Sequence, residues 1–562
     1  MLVAGAVALA VRAALGAAPH SGQAVAPMHG DFEAQRHWME VTTALPPRRW
    51  YVNDSAWDVG TLAAMAPDAR AAALTPRGND VLYWGLDYPP LTAYHAAAAG
   101  AVAHALVPDA VAWGASWGAE SPAVKAFMRT TVLAADAAVY LPAAAAAAAA
   151  FLGVAGASGR AKGVAFAFLA LQPGLLLVDH GHFQYNGVAL GLTLAALVAT
   201  GRGAFLRAAA LFAAALNYKQ MTLYFAPVFF VAMLAAATRR RVLPATWSPV
   251  AGVAALGAVM VAVFAALWLP LCTGTPTAAA CGDVLAAVLR RQFPFSRNLF
   301  EDKVSNLWCV AEPLLRLRAR LYSPAAASVR SSVLIACAAL TAALAAVPCA
   351  TLWRHARAAY ATTASPTGSR SLHRSLAYAA FAVSLAFFLA SYQVHEKTIL
   401  LPAAAAALLA RDAPLFAVWF QALATVSMWP LLAAKDGLAL QLVAVTVPWV
   451  AAFWPTTACV EATDGAAGSA ALASLAGIHA SPRAVATFLL AVTRVTLAAP
   501  IALALCAATL SPPAALPDLF SYASAVACCA AFVGALAWAT AVHAAGGATD
   551  FDVGGTDNAH AE

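Results

Sequence analysis

The chain has 562 residues, of which 62% are hydrophobic and only 10% are charged, and its formal net charge is +7. Soluble domains carry about 25% charged residues, so a chain this apolar cannot cover a water-exposed surface. Because its apolar stretches lack the two-residue alternation of strands, the sequence predicts an all-α polytopic membrane protein. The basic residues lie in short loops and form no run interleaved with aromatic residues, which argues against nucleic-acid binding.

About twenty apolar residues are needed to cross a bilayer, and by this criterion the chain holds roughly 13–15 candidate spans. The first, at 1–18, lacks the basic start and cleavage site of a signal peptide and is interpreted as an anchor. Several candidates are short. The spans are predicted at 1–18, 91–107, 126–153, 161–179, 185–200, 203–217, 221–238, 247–270, 331–352, 375–391, 395–410, 413–433, 437–455, 484–509 and 519–543.

The distribution of arginines predicts which side of the membrane each loop faces. Positively charged loops stay in the cytosol, and the arginines that mark this side are Arg202, Arg207, Arg239, Arg240, Arg241, Arg354, Arg357, Arg370, Arg374 and Arg411. Large loops at 19–90 and 271–310, and the short one at 391–397, then face the opposite side. If every predicted span between residues 18 and 160 crosses the membrane, the loops that follow are placed on the wrong side by one crossing. One early span must therefore be misassigned.

The chain divides by composition into four regions. Residues 1–455 form the main membrane domain, and 484–543 form the C-terminal spans. Between them, 456–483 is rich in Ala, Gly and Ser and is predicted to be a flexible loop. The tail 544–562 is polar and acidic, without core-forming residues, and is predicted to be disordered.

The nine cysteines show no zinc-binding spacing. Those in apolar segments are interpreted as inert core thiols. Cys272 and Cys281 lie together in a non-cytosolic loop, where an oxidising compartment would allow them to pair. The sequence leaves open whether they form a disulfide or remain free.

The densest polar segments lie at span ends or in loops on the non-cytosolic side. Polar groups beside a membrane are costly and often functional, although an interfacial loop with salt bridges would give the same pattern. A transporter would hold such groups near mid-bilayer. A cluster at the boundary favours an enzyme whose substrate is part lipid and part water-soluble. The segments are 30–40, 83–90, 179–186, 217–220, 293–303 and 391–397.

Side chains of two kinds in these segments suggest the chemistry. Cations suited to holding a phosphate group are Arg36, Arg297, Lys303, His395 and Lys397. Carboxylates, one of which would take a proton from a hydroxyl nucleophile, are Asp31, Glu33 and Asp87. One base, no covalent nucleophile and positive charge on a departing phosphate are what glycosyl transfer from a lipid-phosphate donor requires.

The segment Asp179-His180-Gly181-His182 has residue types that ligate metals. A third and a fourth ligand at convincing spacing are missing from the sequence. We therefore favour histidines that hydrogen-bond at a helix end, and we predict neither a metal nor a cofactor. The segment 217–220 is likewise interpreted as the polar cap of a span.

Seven segments together resemble a known family: GDFEAQRHWME, LYWGLDYPPLTAYH, FMRTTVL, DHGHFQYN, NYKQM, FPFSRNLFEDKVSNLWC and SYQVHEKTILL. They are similar, in order, to the endoplasmic-reticulum glucosyltransferases that use dolichyl-phosphate glucose. The match runs from residue 28 to about 402. Ala34, Gln35, Gly85 and the segment 217–220 resemble the branch that adds the first glucose to the nine-mannose lipid-linked oligosaccharide, rather than its sister that adds the second.

This resemblance implies a C-type glycosyltransferase fold in the endoplasmic-reticulum membrane, with a lumenal active site and a membrane-lying helix at residues 31–45. It implies inverting transfer of glucose from dolichyl-phosphate glucose to a terminal mannose of the dolichyl-pyrophosphate-linked oligosaccharide, with an α-1,3 linkage. Asp31 would be the general base. Dolichyl phosphate leaves readily, so neither a metal nor a general acid is required.

Further roles are hypotheses drawn from the same segments. His395 and Lys397, with Arg297 or Lys303, are expected to bind the donor phosphate, and His182 is expected to help them. Asp87 precedes two prolines of fixed φ, so it either shapes its loop or contacts the acceptor. Three alternatives stay open: the sister enzyme, a membrane mannosyltransferase of the same architecture, and a lipid-linked sugar flippase or transporter.

Overall fold

The computed structural model describes residues 1–55, 57–74, 78–153, 156–293, 299, 303–321, 326–361, 370–456, 459–460 and 481–549. Within these ranges the regular structure is helical and contains no strand, which confirms the predicted all-α class. The predicted site residue Arg297 and most of the predicted loop 456–483 lie outside the described residues, as does the tail from 550 onward.

The first half of the chain forms helices α1 to α12. Their bounds are α1 Leu2–Leu15, α2 Asp31–Ala44, α3 Val59–Ala64, α4 Pro67–Leu74, α5 Pro90–Leu106, α6 Pro122–Ala135, α7 Leu141–Phe151, α8 Gly159–Ala170, α9 Pro173–Leu176, α10 Asn186–Gly201, α11 Phe205–Tyr218 and α12 Ala226–Thr238. Two wide π-helical turns interrupt this region, at Asp136–Tyr140 and at Leu177–Phe183. Such turns occur often at functional sites.

The second half forms helices α13 to α23. Their bounds are α13 Pro249–Trp268, α14 Ala278–Gln292, α15 Leu307–Leu315, α16 Leu317–Leu321, α17 Ala326–Ala359, α18 Arg370–Ala390, α19 Leu400–Ala407, α20 Pro414–Ser427, α21 Ala439–Phe453, α22 Pro482–Thr509 and α23 Leu519–Thr549. A third π-helical turn follows α20 at Pro430–Lys435. A short 3₁₀ helix at Glu396–Ile399 precedes α19.

Eight helical segments among the described residues are long and apolar enough to cross a membrane. A ninth is the pair α8 and Pro173–Phe183, bent by 53°. Four shorter apolar helices, α1, α10, α11 and α21, complete the set. The sequence predicts more spans, roughly 13–15, because it counts every apolar stretch whatever its length or bend. Fewer helices are both long enough and apolar enough to qualify.

Helix α5 accounts for the early topological inconsistency. It is absent both from the helices that qualify as spans and from the shorter apolar set. Its small-residue face lies against α2, and a Cβ at Gly100 would fall 2.7 Å from the carbonyl oxygen of Met39. With the predicted span 91–107 removed, the remaining segments alternate correctly relative to the arginine-rich loops. The prediction of a span at 91–107 is therefore wrong.

The central helices are α18 and α20, with 89% and 94% of their most apolar windows buried within the protein. Segments Pro249–Cys272 and Arg483–Thr509 are more apolar still but only 11% buried, so they form the outer surface. A helix that is apolar on every side must face either a core or lipid. The outer helices thus face lipid, which agrees with the predicted polytopic class.

The C-terminal helices pack on the main body. The rings of Phe416 and Trp538 stack at 4.3 Å, and Trp419 Nε1 donates to Thr496 Oγ1 at 3.0 Å. Helix α23 extends to Thr549, so the first residues of the predicted disordered tail are helical. Cys272, which ends the 3₁₀ helix Leu269–Cys272, and Cys281, near the start of α14, form a disulfide with their Cα atoms 4.9 Å apart.

Candidate active site

Asp31 is the first residue of α2, directly after Gly30. A Cβ at Gly30 would fall 2.5 Å from the carbonyl carbon of Ser21, so this close approach of two chain segments requires glycine. The hydroxyl of Ser21 accepts a hydrogen bond from the amide of Asp31 at 3.2 Å. A carboxylate at a helix N-terminus is also favoured by the helix dipole. The local sequence thus fixes the position of this carboxylate.

The two oxygens of the Asp31 carboxylate have different surroundings. Oδ2 accepts from His182 Nε2 at 2.8 Å, from Gln184 Nε2 at 2.5 Å and from Lys397 Nζ at 2.5 Å. Within the described residues Oδ1 accepts no hydrogen bond, and the side chain is 22% exposed. One oxygen is thus anchored by three donors while the other stays available, which is the arrangement that a positioned base needs.

Nearby cations decide the charge of Asp31. Burial alone would raise its pKa, but Lys397 and His182 reverse this effect and hold the pKa well below its usual range. For Lys397, burial favours the neutral amine, yet Asp31 and Glu396 raise its pKa above the ordinary value. The site therefore contains a carboxylate and an ammonium that stabilise each other.

Lys397 lies in the 3₁₀ helix Glu396–Ile399, which follows the central helix α18. Its ammonium contacts both Asp31 Oδ2 and His182 Nε2, the latter at 3.2 Å. His395 caps the start of the same 3₁₀ helix, and its carbonyl accepts from the hydroxyl of Thr398 at 2.6 Å. Of the predicted pair His395 and Lys397, side-chain contacts thus bring Lys397 to Asp31 and His182, while His395 contributes the cap of this short helix.

The π-helical turn Leu177–Phe183 presents His182 to the site. Two backbone contacts hold the turn: Arg129 Nη2 donates to the carbonyl of Gly181 at 2.8 Å, and the amide of Ser21 donates to the carbonyl of His182 at 2.9 Å. The second contact also ties the turn to the segment that leads into α2. His182 and Asp31 are therefore positioned by the same junction.

Asp436 was not found by the sequence analysis. It follows the π-helical turn after α20, and its Oδ2 lies 2.6 Å from His182 Nδ1. The sequence does contain a signal for it, because Lys435-Asp436-Gly437 is a short polar break between two predicted spans. This break is on the same side of the membrane as the other polar segments.

Lys219 also enters the site, although the sequence analysis treated its segment as a span cap. Its ammonium donates to Asn186 Oδ1 at 2.5 Å and to Gln184 Oε1 at 3.3 Å, and it lies 4.7 Å from the centre of the Tyr88 ring. Because Gln184 also binds Asp31, Lys219 is one residue removed from the base. The loop carrying Asp87 is held in turn by Gln220, which donates to the carbonyl of Asp87 at 3.2 Å.

Glu33 and Arg36 belong to a separate buried network. Arg36 Nη2 lies 2.6 Å from Glu33 Oε1 and 2.9 Å from Glu40 Oε2, and the Tyr83 hydroxyl donates to Glu33 at 2.8 Å. Arg36 is fully buried, and the two carboxylates raise its pKa despite the effect of burial. Its Nη1 also donates to Ser116 Oγ at 2.6 Å. This geometry gives Arg36 the role of holding α2 in place.

Replacing Arg36 with Leu is expected to lower the free energy of unfolding by about 3–5 kcal/mol, because two buried carboxylates lose their partner. The melting temperature of the purified protein in detergent measures this. Arg202→Leu, which changes an exposed arginine, is the matched control. An unchanged melting temperature together with a raised KM for donor would instead support the substrate-binding role that the sequence suggested.

The remaining predicted cation, Lys303, forms an ion pair with Asp518 at 2.6 Å. The contact joins two loops that the arginine pattern places on the same side of the membrane. The structure therefore brings together Asp31, His182 and Lys397, and it places Glu33, Arg36 and Lys303 in contacts elsewhere. Among the described residues, no three His, Cys, Asp or Glu side chains lie close enough to hold a metal ion.

The fold and this site define a polytopic membrane protein with one poised carboxylate and adjacent cations. The sequence profile of the ALG6, ALG8 glycosyltransferase family matches residues 8–61 and 73–539. The chain therefore belongs to this family, which confirms the resemblance seen in its polar segments and its assignment as a glycosyltransferase.

Individual relatives agree with the family assignment. The chain is 36% identical over 458 residues to the dolichyl pyrophosphate Man9GlcNAc2 alpha-1,3-glucosyltransferase of Gallus gallus, covering 82% of this chain and 79% of the relative. It is 34% identical over 532 residues to the protein of the same name from Mus musculus, covering 93% and 92%. A probable enzyme of that name from Arabidopsis thaliana is 36% identical over 431 residues, covering 76% and 69%.

Proposed function

We propose that this protein transfers glucose from dolichyl-phosphate glucose to the terminal mannose of the nine-mannose dolichyl-pyrophosphate-linked oligosaccharide, forming an α-1,3 linkage. The reaction takes place on the lumenal side of the endoplasmic-reticulum membrane. The observation that carries the proposal is the Asp31 carboxylate, which has one oxygen anchored and the other open beside the Lys397 ammonium. The names of the family relatives support the acceptor.

The site supports a single in-line displacement. Asp31 Oδ1 takes the proton of the acceptor hydroxyl as the hydroxyl oxygen bonds to the anomeric carbon of glucose. The bond between that carbon and the phosphate oxygen breaks, and dolichyl phosphate leaves with the electron pair. One displacement inverts the configuration at the anomeric carbon, so a β-linked donor gives an α-linked product. This chemistry needs one base and no second carboxylate as nucleophile.

Lys397 is the cation best placed for the leaving phosphate. An ammonium group has three N–H donors, so Lys397 has donors beyond the one used by Asp31 Oδ2. Positive charge near the developing phosphate anion lowers the barrier of the step in which that anion departs. The His182 ring lies beside Lys397, with Nε2 3.2 Å from the Lys397 ammonium. Arg297, predicted from sequence for the same task, lies outside the described residues.

A groove among α12, α17 and α18 supports a lipid-linked donor. Its volume is about 600 Å³, and its lining is largely apolar, with four alanines, two cysteines and the side chains of Leu334 and Phe387. It reaches Ser391 and Tyr392 at the end of α18. This point is four residues before His395, so a polyprenyl chain lying in the groove would deliver its phosphate to the cations of the site.

A transfer assay with purified protein and chelator tests the proposal. Dolichyl-phosphate glucose and the nine-mannose acceptor should give a product with one added glucose. Dolichyl-phosphate mannose serves as the alternative donor, and an acceptor that already carries one glucose as the alternative acceptor. Transfer only to the latter would assign the chain to the sister activity, and use of the mannose donor would make it a mannosyltransferase. Absence of all transfer would favour a flippase.

A further inference from the structure

His182 lies between two carboxylates from distant parts of the chain. Its Nε2 is 2.8 Å from Asp31 Oδ2, and its Nδ1 is 2.6 Å from Asp436 Oδ2. The His182 side chain is 2% exposed and that of Asp436 is fully buried. Because an ionised carboxylate only accepts hydrogen bonds, a ring that satisfies both carboxylates must donate from both nitrogens. Such a ring is an imidazolium, and its Nε2 then lies 3.2 Å from the Lys397 ammonium with Asp31 Oδ2 as their shared acceptor.

Asp436 depends on His182 for compensation of its charge. Its Oδ1 is buried and has no hydrogen-bond partner within the described residues, and its Oδ2 contacts the His182 ring. A buried carboxylate without compensation is strongly destabilising, so the Asp436 charge and a proton on His182 require each other. Lys397, on the other side of the ring, is paired with Asp31 and acts on Asp436 only at longer range, whereas His182 is in direct contact with it.

The chain around Asp436 is folded to make this contact. Asp436 follows the π-helical turn Pro430–Lys435, and its amide donates to the carbonyl of Leu431 at 3.1 Å. Gly437 has φ +70°, which allows the chain to reverse before α21. The next residue packs on the histidine turn, since a Cβ at Gly181 would lie 2.9 Å from Leu438 Cδ1. The two turns therefore fit directly against each other.

We propose that Asp436 is a positioning residue that keeps His182 protonated and aims its Nε2–H at Asp31 Oδ2, so that Oδ1 remains the oxygen that accepts the substrate proton. This inference rests on the proposed function, because it assigns a task to Asp31 as the base. It extends that function by a residue lying 254 positions from His182 in the chain.

The charged groups that face the His182 ring come from three elements. They are Asp31 from α2, Lys397 from the 3₁₀ helix and Asp436 after the third π-helical turn. Farther groups act on these three rather than on the ring itself, and they are Glu396, Lys219 and Tyr88. The carboxylates of Asp31 and Asp436 balance the charges of the Lys397 ammonium and the His182 imidazolium. If one carboxylate is removed, the cluster has an excess positive charge. Loss of the His182 proton removes that excess.

The first test is the pH dependence of kcat/KM for Asp436→Asn, which keeps the shape of the side chain and removes its charge. His182 should become neutral near pH 7, so Asp31 loses one of the two cations that lower its pKa. The acidic limb of the profile should then move to higher pH by about 1–3 units. Asp412→Asn, which changes an aspartate paired with Arg374 on the arginine-rich side, should leave the limb in place.

A double-mutant cycle separates action through His182 from a general structural effect. In a His182→Gln background, Asp436→Asn should cause less than a twofold further loss, because its effect is exerted through the ring. The double variant also removes both charges, so it should fold even if Asp436→Asn alone does not. Losses that multiply, or an acidic limb that does not move in Asp436→Asn, would overturn the proposal. The second result would mean that the Asp436 side chain does not act on Asp31 through His182.

Failure of the positioning role of Asp436 can be distinguished from failure of Asp31 as the base. If Asp31→Asn retains normal turnover in the same assay, the assignment of Asp31 is wrong, whatever Asp436 does. If Asp31→Asn is inactive while the acidic limb of the pH profile stays in place in the Asp436 variants, Asp31 remains the proposed base. Only the positioning role of Asp436 is then wrong. Both sets of measurements use the full-length protein with dolichyl-phosphate glucose and the nine-mannose acceptor.

Discussion

Asp31→Asn is expected to lower kcat about a thousandfold, within the range that a general base contributes to catalysis. Asparagine keeps the size of the side chain but cannot accept the proton of the acceptor hydroxyl. Initial rates of glucose transfer at saturating donor and acceptor measure the loss. KM for the donor should change little, because the phosphate is held by cations and not by this carboxylate.

Asp58→Asn is the matched control for this variant. Asp58 lies in the same loop and caps α3 by accepting from the amide of Thr61 at 2.9 Å. Asparagine caps a helix about as well as aspartate, so this change should leave both the stability and kcat nearly unchanged. Near-normal turnover of Asp31→Asn, with normal expression and melting temperature, would show that another group is the base.

Lys397→Gln should produce the second largest effect, with kcat reduced about 100- to 1,000-fold, as for loss of one group that stabilises a developing anion. KM for dolichyl-phosphate glucose should rise while KM for the oligosaccharide acceptor stays nearly constant. The reason is that the ammonium acts on the donor phosphate. Steady-state kinetics with each substrate varied in turn measure the difference.

The same variant has a pH signature. In the wild-type protein Lys397 and His182 hold the pKa of Asp31 well below its usual range, so transfer should persist into mildly acidic solution. Removing the Lys397 charge raises that pKa, and activity should then be lost at a higher pH. The stability that Asp31 contributes is likewise present above its unfolded-state pKa and is lost as the pH falls through the lower folded-state value.

Lys162→Gln is the control, because Lys162 lies in α8 at the arginine-rich side of the membrane. Lys303→Gln provides a sharper comparison. Lys303 was predicted from sequence to bind the phosphate, whereas the structure pairs it with Asp518 at 2.6 Å. If Lys303→Gln raised the donor KM more than Lys397→Gln, the sequence hypothesis would be preferred over the geometry.

Much of the site was visible in the sequence because polar residues are rare in this chain. Asp31, His182 and Lys397 each stand in a dense polar segment at a span end, and the cost of holding such groups beside lipid makes the segments conspicuous. Glu33 and Arg36 stand in the same segment as Asp31, so composition alone could not separate them. Helix geometry could have done so, because residues two apart point to different faces and residues three or four apart share one.

The contacts between distant segments could not be read from the sequence. Lys397 and Asp31 are 366 residues apart, and Asp436 and His182 are 254 apart. By residue type and by position at a span end, each of these side chains resembles several others at the same membrane depth. Lys303, for example, looks as suitable for phosphate as Lys397, yet the folded chain places it beside Asp518.

The sequence by itself determined the class of the protein and predicted the side of the membrane that carries the chemistry and the type of base, because hydropathy and charge placement act locally along the chain. Only the tertiary structure decided which oxygen of Asp31 is anchored and which cation anchors it. It also decided that Asp436 contacts His182. The physical reason is that a buried charge needs a partner at hydrogen-bond distance, and the packing of separate helices determines which partner it meets.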